Sequence, residues 1–289
     1  MHTQINTISD LKKYFLLRLG NLYSEAEIAV ITEIIIKTLF NLNRLRQIQN
    51  PDYEIPLTKK VQIEQICNDL AAGKPVQYVI GEADFYNCRI KLNDHSFIPR
   101  QETEELVDLI VRDNCNFKGK ILDIGTGPGT IAIALAANMP EAEVHAMDIS
   151  NEALEIAREN ANLNNVKVKF FLADIFSPLW DLPAFYDIVV SNPPYIPESE
   201  KKNMHINITN YEPAKALFVP DNNPLVFYRS ILEKRHLFMA FRSKIYFEIH
   251  EKMGMKIKSL MACSYIRDIR LIKDINDKDR IITGIYYGL

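Results

Sequence analysis

Apolar residues recur at helical spacing through the first 75 residues of the chain. Ser9 or Asp10 can cap a first helix, and Ser24 followed by Glu27 has the spacing of a capping box ahead of a longer one. Apolar positions three and four residues apart then give each helix one buried face. We therefore predict a small helical bundle at residues 1–75, for which packing alone is a sufficient role.

The pattern changes near residue 76. Residues 85–94 alternate between apolar and polar positions before a turn, which predicts a β-hairpin linker at 76–97. From residue 98 to 289, short apolar segments alternate with amphipathic helical ones. This alternation predicts an α/β domain with a mostly parallel, seven-stranded sheet and helices on both faces. The predicted strands are 120–124, 143–148, 168–172, 186–191, 244–250, 266–273 and 280–287.

Composition and charge narrow the classes of function. The 289 residues are 47% hydrophobic and carry a formal net charge of -3. The first 100 residues hold 12 Lys/Arg against 11 Asp/Glu, so they lack the basic excess typical of nucleic-acid binding. No apolar stretch is long enough to span a bilayer, and the first residues do not resemble a signal peptide. We expect a cytoplasmic protein that binds neither membrane nor nucleic acid, and a monomer.

The segment Gly125-Thr126-Gly127-Pro128-Gly129 lies between a predicted strand and a predicted helix. Glycine permits positive φ and lets the backbone approach a ligand closely. Asp148 ends the next strand, where a carboxylate can accept hydrogen bonds from ribose hydroxyls. Together they indicate a site for a nucleoside-like cofactor. The alternatives are a simple tight turn for the glycines and a turn acid ahead of the helix cap for Asp148.

Asp174 follows the third strand of this domain. Its carboxylate could accept from an adenine amino group, with Ile175 or Phe176 beside the ring. An Asx-turn residue at the start of a loop explains Asp174 equally well.

The most specific signal is Asn192-Pro193-Pro194-Tyr195, directly after a buried strand. A conjugated nitrogen is a poor methyl acceptor because its lone pair is delocalised. Acceptors aimed at its two hydrogens favour the pyramidal, reactive form, and the Asn192 side-chain oxygen and Pro193 carbonyl could provide them. The prolines keep the loop rigid, and Tyr195 offers a flat face for a planar group. The tetrapeptide therefore indicates methylation of an amide or exocyclic amine.

Several segments resemble the HemK-type (PrmC) family of release factor glutamine methyltransferases. They are residues 73–81, 97–104, 123–129, 148, 174–175, 192–196 and 211–217, with Asp274 and Asp279-Arg280 near the end. The resemblance covers residues 73 to 285. It implies a class I, Rossmann-like S-adenosylmethionine (SAM) methyltransferase domain behind the helical bundle, yielding S-adenosyl-L-homocysteine. It also implies the Gly-Gly-Gln glutamine of class 1 peptide chain release factors as acceptor.

The resemblance also assigns residues by position. Asn192, Pro193, Pro194 and Tyr195 would hold the glutamine amide, with Phe97 nearby. The SAM site would be lined by Gly125, Thr126, Gly127, Pro128, Gly129, Asp148, Ile175 and Asn192. Gln101 departs from the family, which usually has proline there. No metal site is expected, because the histidines and cysteines form no ligand set.

Two other functions fit parts of the pattern. An adenine amino methyltransferase acting on nucleic acid would use the same Asn-Pro-Pro-Tyr logic, and the near-neutral charge of the first 100 residues argues against it. A non-catalytic adaptor would not need the intact glycine loop, Asp148 and Asn192. The role of Glu248, an acid within an apolar strand, stays open: it could face the cofactor or a solvated edge.

Overall fold

The computed structural model describes residues 5–94, 96–177, 182–183 and 185–288. The chain divides into two units, Met1–Gly81 with His205–Tyr211 and Glu82–Met204 with Glu212–Leu289. The first unit thus extends past the predicted bundle and includes a short segment from late in the chain, for which no sequence pattern gave a signal. Among the described residues, no helix is both long and apolar enough to cross a bilayer.

The helices of the described residues follow in chain order. They are α1 (Ile8–Leu19), α2 (Glu25–Phe40), α3 (Arg44–Gln49), α4 (Leu57–Ala71), α5 (Val76–Ile80), α6 (Gln101–Asp113), α7 (Thr130–Asn138), α8 (Asn151–Leu163), α9 (Ile206–Tyr211), α10 (Ala214–Leu217), α11 (Val226–Lys234) and α12 (Gly254–Cys263). The strands are β1 (Glu82–Phe85), β2 (Cys88–Lys91), β3 (Lys120–Ile124), β4 (Glu143–Asp148), β5 (Val168–Leu172), β6 (Tyr186–Ser191), β7 (Ile196–Pro197), β8 (Phe218–Val219), β9 (Met239–Glu248), β10 (Ile266–Lys273) and β11 (Asp279–Tyr286).

The helix caps of the first unit confirm one prediction and correct another. Ser24 and Glu27 form the predicted capping box at the start of α2. The cap of α1 is Thr7, not Ser9 or Asp10, and Asp10 instead completes a capping box from inside the first turn. Thr7 lies ahead of the periodic apolar positions that were used to place the helix start, which accounts for the error.

The segment predicted as a hairpin begins with a helix. Val76–Ile80 form α5, and only β1 and β2 pair as an antiparallel hairpin. Its turn residues Tyr86 and Asn87 have φ of 43° and 65°, which suits the tight two-residue turn of a twisted hairpin. The pattern missed α5 because a five-residue helix contains too few turns to show a period.

The seven-stranded sheet has the order β10-β11-β9-β6-β3-β4-β5. Strands β5, β4, β3, β6 and β9 are mutually parallel, and β11 runs antiparallel to both of its neighbours. The predicted α/β class and the mostly parallel sheet are confirmed. The strand order reverses direction between β3 and β6, and open α/β sheets bind ligands at such a point, outside the carboxyl ends of the strands.

Several elements of this unit differ from the sequence prediction. The predicted helix 225–239 ends as α11 at Lys234, and β9 already begins at Met239, five residues earlier than expected. Helix α12 was not predicted. Gln101 is the first residue of α6, a position where proline is favoured but a donor is not needed, so glutamine fits there without disturbing the helix.

Candidate active site

The two signature loops emerge side by side. Strands β3 and β6 are hydrogen-bonded neighbours in which Ile124 pairs with Ser191. The Ser191 hydroxyl also donates to the Ile124 carbonyl at 2.7 Å, and both residues are buried. Gly125 and Asn192 are the next residues of each strand. The loop with cofactor-like chemistry and the loop with acceptor-like chemistry therefore start from one fixed point.

The glycine loop leaves open space at two of its three glycines. Gly125, Gly127 and Gly129 have φ of 74°, 55° and 87°. A Cβ built on Gly125 or Gly127 would meet no atom within 4 Å, whereas one on Gly129 would come within 2.8 Å of the Ile133 side chain. Gly129 thus combines a positive φ with a close approach to Ala157 of α8, 3.1 Å from such a Cβ. Gly125 and Gly127 border a space that a ligand can fill, which fits a bound nucleoside-like cofactor.

Asp148 ties β4 to the glycine loop. Its Oδ2 accepts the Gly127 N–H at 2.8 Å, and its Oδ1 accepts the Ser150 N–H at 2.9 Å. Ser150 in turn caps α8. The local-turn role considered for Asp148 is therefore present. Each carboxylate oxygen retains a further lone pair, so these bonds leave it able to accept from a ribose hydroxyl.

Asp123 lies in β3, two residues before Gly125, and from the sequence it had no role beyond its place in the family motif. Its side chain is fully buried, with Oδ2 accepting the Thr126 hydroxyl at 2.6 Å and Oδ1 without a partner. The pKa of Asp123 is raised to about 7, chiefly by burial and in lesser part by the Asp148 charge, while hydrogen bonds from Thr126 and the Ala132 backbone oppose the rise. An acid inside the apolar run of β3 was the signal that could have identified it.

Asp174 and Ile175 follow β5 at the same edge of the sheet. The Asp174 carboxylate accepts the Phe176 N–H at 2.9 Å and the Ser177 hydroxyl at 3.3 Å, which is the Asx-turn arrangement. Ile175 is buried, and Phe176 is half exposed and packs against Phe227. The turn role of Asp174 is thus observed, and its adenine contact stays a prediction.

A buried acid stands behind the Asn192–Tyr195 loop. Glu248, 1% exposed, accepts the Thr103 hydroxyl at Oε2 (2.6 Å) and the Tyr195 hydroxyl at Oε1 (2.9 Å). The Asn192 side-chain amide donates to the Thr103 oxygen at 3.2 Å. Of the two positions left open for Glu248, its burial excludes the solvated edge. Glu248 instead holds the acceptor loop from behind.

Charges around this cluster have identifiable effects. Burial raises the pKa of Glu248, while the bonds from Thr103 and Tyr195 and the Arg280 charge oppose that rise. Burial and the Glu248 charge hold the pKa of the Tyr195 phenol well above its usual range. Arg280 itself donates to the buried Asp274 carboxylate at 3.0 Å. Strand β11 therefore supplies a positive charge, Arg280, that acts on both Glu248 and Tyr195.

Phe97 is held by a second ion pair. The Arg100 guanidinium lies over the Phe97 ring at 5.0 Å and pairs with the buried Glu212 carboxylate. Glu212 also accepts the Ile98 N–H at 3.4 Å. These contacts join the segment 97–100 to Glu212, although the two are more than a hundred positions apart in the sequence.

Comparison with known proteins identifies the chain. Residues 12–81 match the PrmC N-terminal domain family, and residues 102–235 match the Methyltransferase small domain family. The release factor glutamine methyltransferase of Flavobacterium psychrophilum is 39% identical over 279 residues, which cover 95% of this chain and 98% of that protein. Its counterpart from Bacteroides thetaiotaomicron is 40% identical over 266 residues, covering 92% and 95%.

Solved structures agree on the fold. The hMettl16 catalytic domain aligns with a TM-score of 0.56 at 16% identity, covering 76% of this chain and 80% of that one. A methyltransferase from Pyrococcus furiosus gives 0.52 at 15% identity, covering 80% and 99%. The sheet order and these neighbours show the fold of class I methyltransferases, and the Methyltransferase small domain match over residues 102–235 places the chain among them. Within that class, the chain belongs to the family of release factor glutamine methyltransferases, as its motifs predicted.

Proposed function

We propose that this protein transfers a methyl group from SAM to the side-chain amide nitrogen of the glutamine in the Gly-Gly-Gln motif of class 1 peptide chain release factors. Such a modification would modulate translation termination. The observation that carries the proposal is the position of the Asn192–Tyr195 loop beside the Gly125–Gly129 loop, at the point where the strand order reverses. Membership of the family supports the choice of acceptor.

The residues of the acceptor loop match the chemistry of an amide. The acceptor nitrogen must lose conjugation as it attacks, and its N–H bonds become more acidic as the methyl arrives. The Asn192 oxygen and the Pro193 carbonyl would accept those two hydrogens. Pro193 and Pro194 limit the movement of the loop, so the acceptors need little reorganisation. Tyr195, fixed through its hydroxyl to Glu248, and Phe97 would pack on the planar amide.

The cofactor site would be formed at the adjacent loop. SAM, when bound, supplies a methyl group on a positively charged sulfur. Gly125 and Gly127 offer open backbone, Asp148 would accept from the ribose, and Asp174 with Ile175 would flank the adenine. Thr126, Pro128 and Gly129 shape the loop. Asp123 places a carboxylate with an unpaired oxygen beneath it, which favours a cationic ligand once ionised.

The adenine methyltransferase alternative is not favoured, because the similar full-length proteins carry the release factor name. We also expect, as predictions from the sequence, a monomer in the cytoplasm that meets the release factor without binding nucleic acid.

The test is direct chemical identification of the product. Purified protein would be incubated with SAM and a class 1 release factor, and the Gly-Gly-Gln peptide would be sequenced by mass spectrometry. One added methyl on the glutamine supports the proposal. An unmodified glutamine, or a methyl on another residue, contradicts it. Duplex and hairpin nucleic acids with accessible adenines, assayed in parallel, test the alternative.

A further inference from the structure

The hydroxyl of Thr103 stands between a buried acid and the Asn192 amide. Thr103 is 3% exposed, and its oxygen lies 2.6 Å from Glu248 Oε2 and 3.2 Å from Asn192 Nδ2. A hydroxyl has one proton to donate. Because an ionised carboxylate can only accept, that proton is committed to Glu248. The Thr103 oxygen can then only accept from its other neighbour.

This constraint decides which end of the Asn192 amide faces Thr103. Oxygen and nitrogen of a side-chain amide have nearly the same shape, and their assignment rests on the hydrogen-bond partners. A Thr103 oxygen that can only accept requires the Asn192 NH2 group. The Asn192 oxygen must therefore occupy the opposite position, turned away from Thr103. In this series of hydrogen bonds, Asn192 donates to Thr103 and Thr103 donates to Glu248.

Two hydroxyl donors favour the ionised form of Glu248 that this direction needs, and they oppose the rise in its pKa that burial causes. Tyr195 donates to Oε1 at 2.9 Å while Thr103 donates to Oε2. A protonated carboxyl group would have to donate from one of its oxygens and so reverse the direction of one of these bonds. Arg280, paired with Asp274, adds a favourable charge, although Glu102 opposes it.

We propose that Thr103 and Glu248 are positioning residues that fix the Asn192 oxygen toward the acceptor and so make the site select a side-chain amide over a carboxylate. The proposal rests on the proposed function. An acceptor amide presents two N–H donors to the Asn192 oxygen, whereas a glutamate presents only acceptors. If Asn192 were free to turn over, its NH2 group would face the acceptor and would favour the glutamate instead.

The informative variants differ by single atoms. Thr103→Val keeps the shape of the side chain and removes the hydroxyl, so it releases Asn192. Thr103→Ser keeps the hydroxyl and loses a methyl, and is the matched control. Glu248→Gln keeps the volume of Glu248 and replaces one acceptor with a donor. Thermal unfolding of all three shows whether each variant is folded.

Two measurements test the proposal, and the second does not depend on whether the proposed function is right. The first is the affinity of each enzyme for a release factor with Gly-Gly-Gln and for one with Gln→Glu in that motif, together with kcat on the former. We expect the wild type to prefer glutamine, and Thr103→Val to reduce that preference at least tenfold and kcat by ten- to a hundredfold. Thr103→Ser should restore most of both, and Glu248→Gln should resemble Thr103→Val.

The second readout needs no release factor. The side-chain NH2 resonance of Asn192, assigned from its loss in Asn192→Ala, should exchange slowly with solvent in the wild type and in Thr103→Ser, and quickly in Thr103→Val. If Thr103→Val left the solvent exchange of the Asn192 NH2 group as slow as in the wild type, the proposal would be overturned. An unchanged preference for glutamine over glutamate in a folded, active Thr103→Val enzyme would also overturn it. A wild type that methylates no release factor, yet shows the predicted change in exchange, would contradict the proposed function and leave the orientation of Asn192 supported.

Discussion

The Ser191 hydroxyl donates to the Ile124 carbonyl at 2.7 Å, across the two strands that carry the signature loops. Neither partner is exposed to water. The bond satisfies a carbonyl at the end of β3, where the chain turns into the glycine loop and the strand ladder stops. It thereby fixes the backbone at Gly125 relative to the backbone at Asn192, where the two loops of the proposed cofactor and acceptor sites begin.

Removal of this bond should affect transfer more than binding. Ser191→Ala removes a buried hydrogen bond to the Ile124 carbonyl, which costs about 1 kcal/mol of stability. We expect kcat to fall several-fold, because small changes in the alignment of reacting atoms are costly, while the affinity for SAM changes little. Thermal unfolding and steady-state kinetics check both parts. Ser191→Thr, which keeps the hydroxyl, is the control, and an equal loss of kcat in it would point to crowding rather than to the bond.

Loss of the Asp148 carboxylate should weaken cofactor binding. Asp148→Asn retains one oxygen for the Gly127 or Ser150 amide but presents an NH2 group in place of the other acceptor. We expect at least a tenfold rise in the Kd for SAM, equivalent to about 1.4 kcal/mol, measured by calorimetry. Asp221→Asn serves as the comparison, since the Asp221 carboxylate accepts from the Ser199 N–H and hydroxyl and lies outside the residues assigned to the SAM site. An unchanged Kd in Asp148→Asn would contradict the cofactor role of Asp148.

The buried acid Asp123 should make stability depend on pH. Its pKa is raised to about 7, so the unfolded chain loses this proton at lower pH than the folded protein does. The stabilising contribution is therefore complete below pH 4 and is lost as the pH rises through 7, at about 1.4 kcal/mol per pH unit.

Asp123→Asn cannot titrate and provides the test. Relative to this variant, the free energy of unfolding of the wild type should fall by about 3 kcal/mol between pH 5 and pH 8. Urea denaturation of both proteins across that range measures the difference. A constant difference would show that Asp123 titrates with an ordinary pKa.

The Arg100–Glu212 ion pair beside Phe97 should contribute to binding of the acceptor. Glu212→Gln removes the charge that holds Arg100, so the Phe97 ring loses its fixed neighbour. We expect the KM for the release factor to rise severalfold with kcat nearly unchanged, because only binding energy common to substrate and transition state is lost. A fall in kcat at unchanged KM would instead place this ion pair in the chemical step.

The sequence predicted most strands of the seven-stranded sheet, because a buried parallel strand is a short apolar run with turn residues at its end. Five predicted strands, 120–124, 143–148, 168–172, 186–191 and 266–273, have the observed limits. The short helices α3, α5 and α9 left no periodic signal. Long-range partners were also invisible: nothing near Glu248 in the sequence indicates Thr103, 145 positions away.

The parts of the site that lie within one short segment of sequence could be predicted. The glycine loop and the Asn192–Tyr195 loop each carry their backbone requirements within a few residues, so their positions after β3 and β6 could be expected. The orientation of Asn192 could not, because it depends on one proton shared between side chains from α6 and β9. No role could be predicted for Asp123, because the effect of an acid within an apolar strand depends on how deeply its side chain is buried.

The central claim is best tested by transfer of labelled methyl groups from SAM to a purified class 1 release factor. The wild type and Asn192→Ala would be assayed side by side, each with the intact release factor and with a Gln→Ala version of its Gly-Gly-Gln motif. We predict label only from the wild type on the intact factor, and a loss of at least a hundredfold for Asn192→Ala. Equal labelling of the Gln→Ala factor, or full activity of Asn192→Ala, would contradict the account.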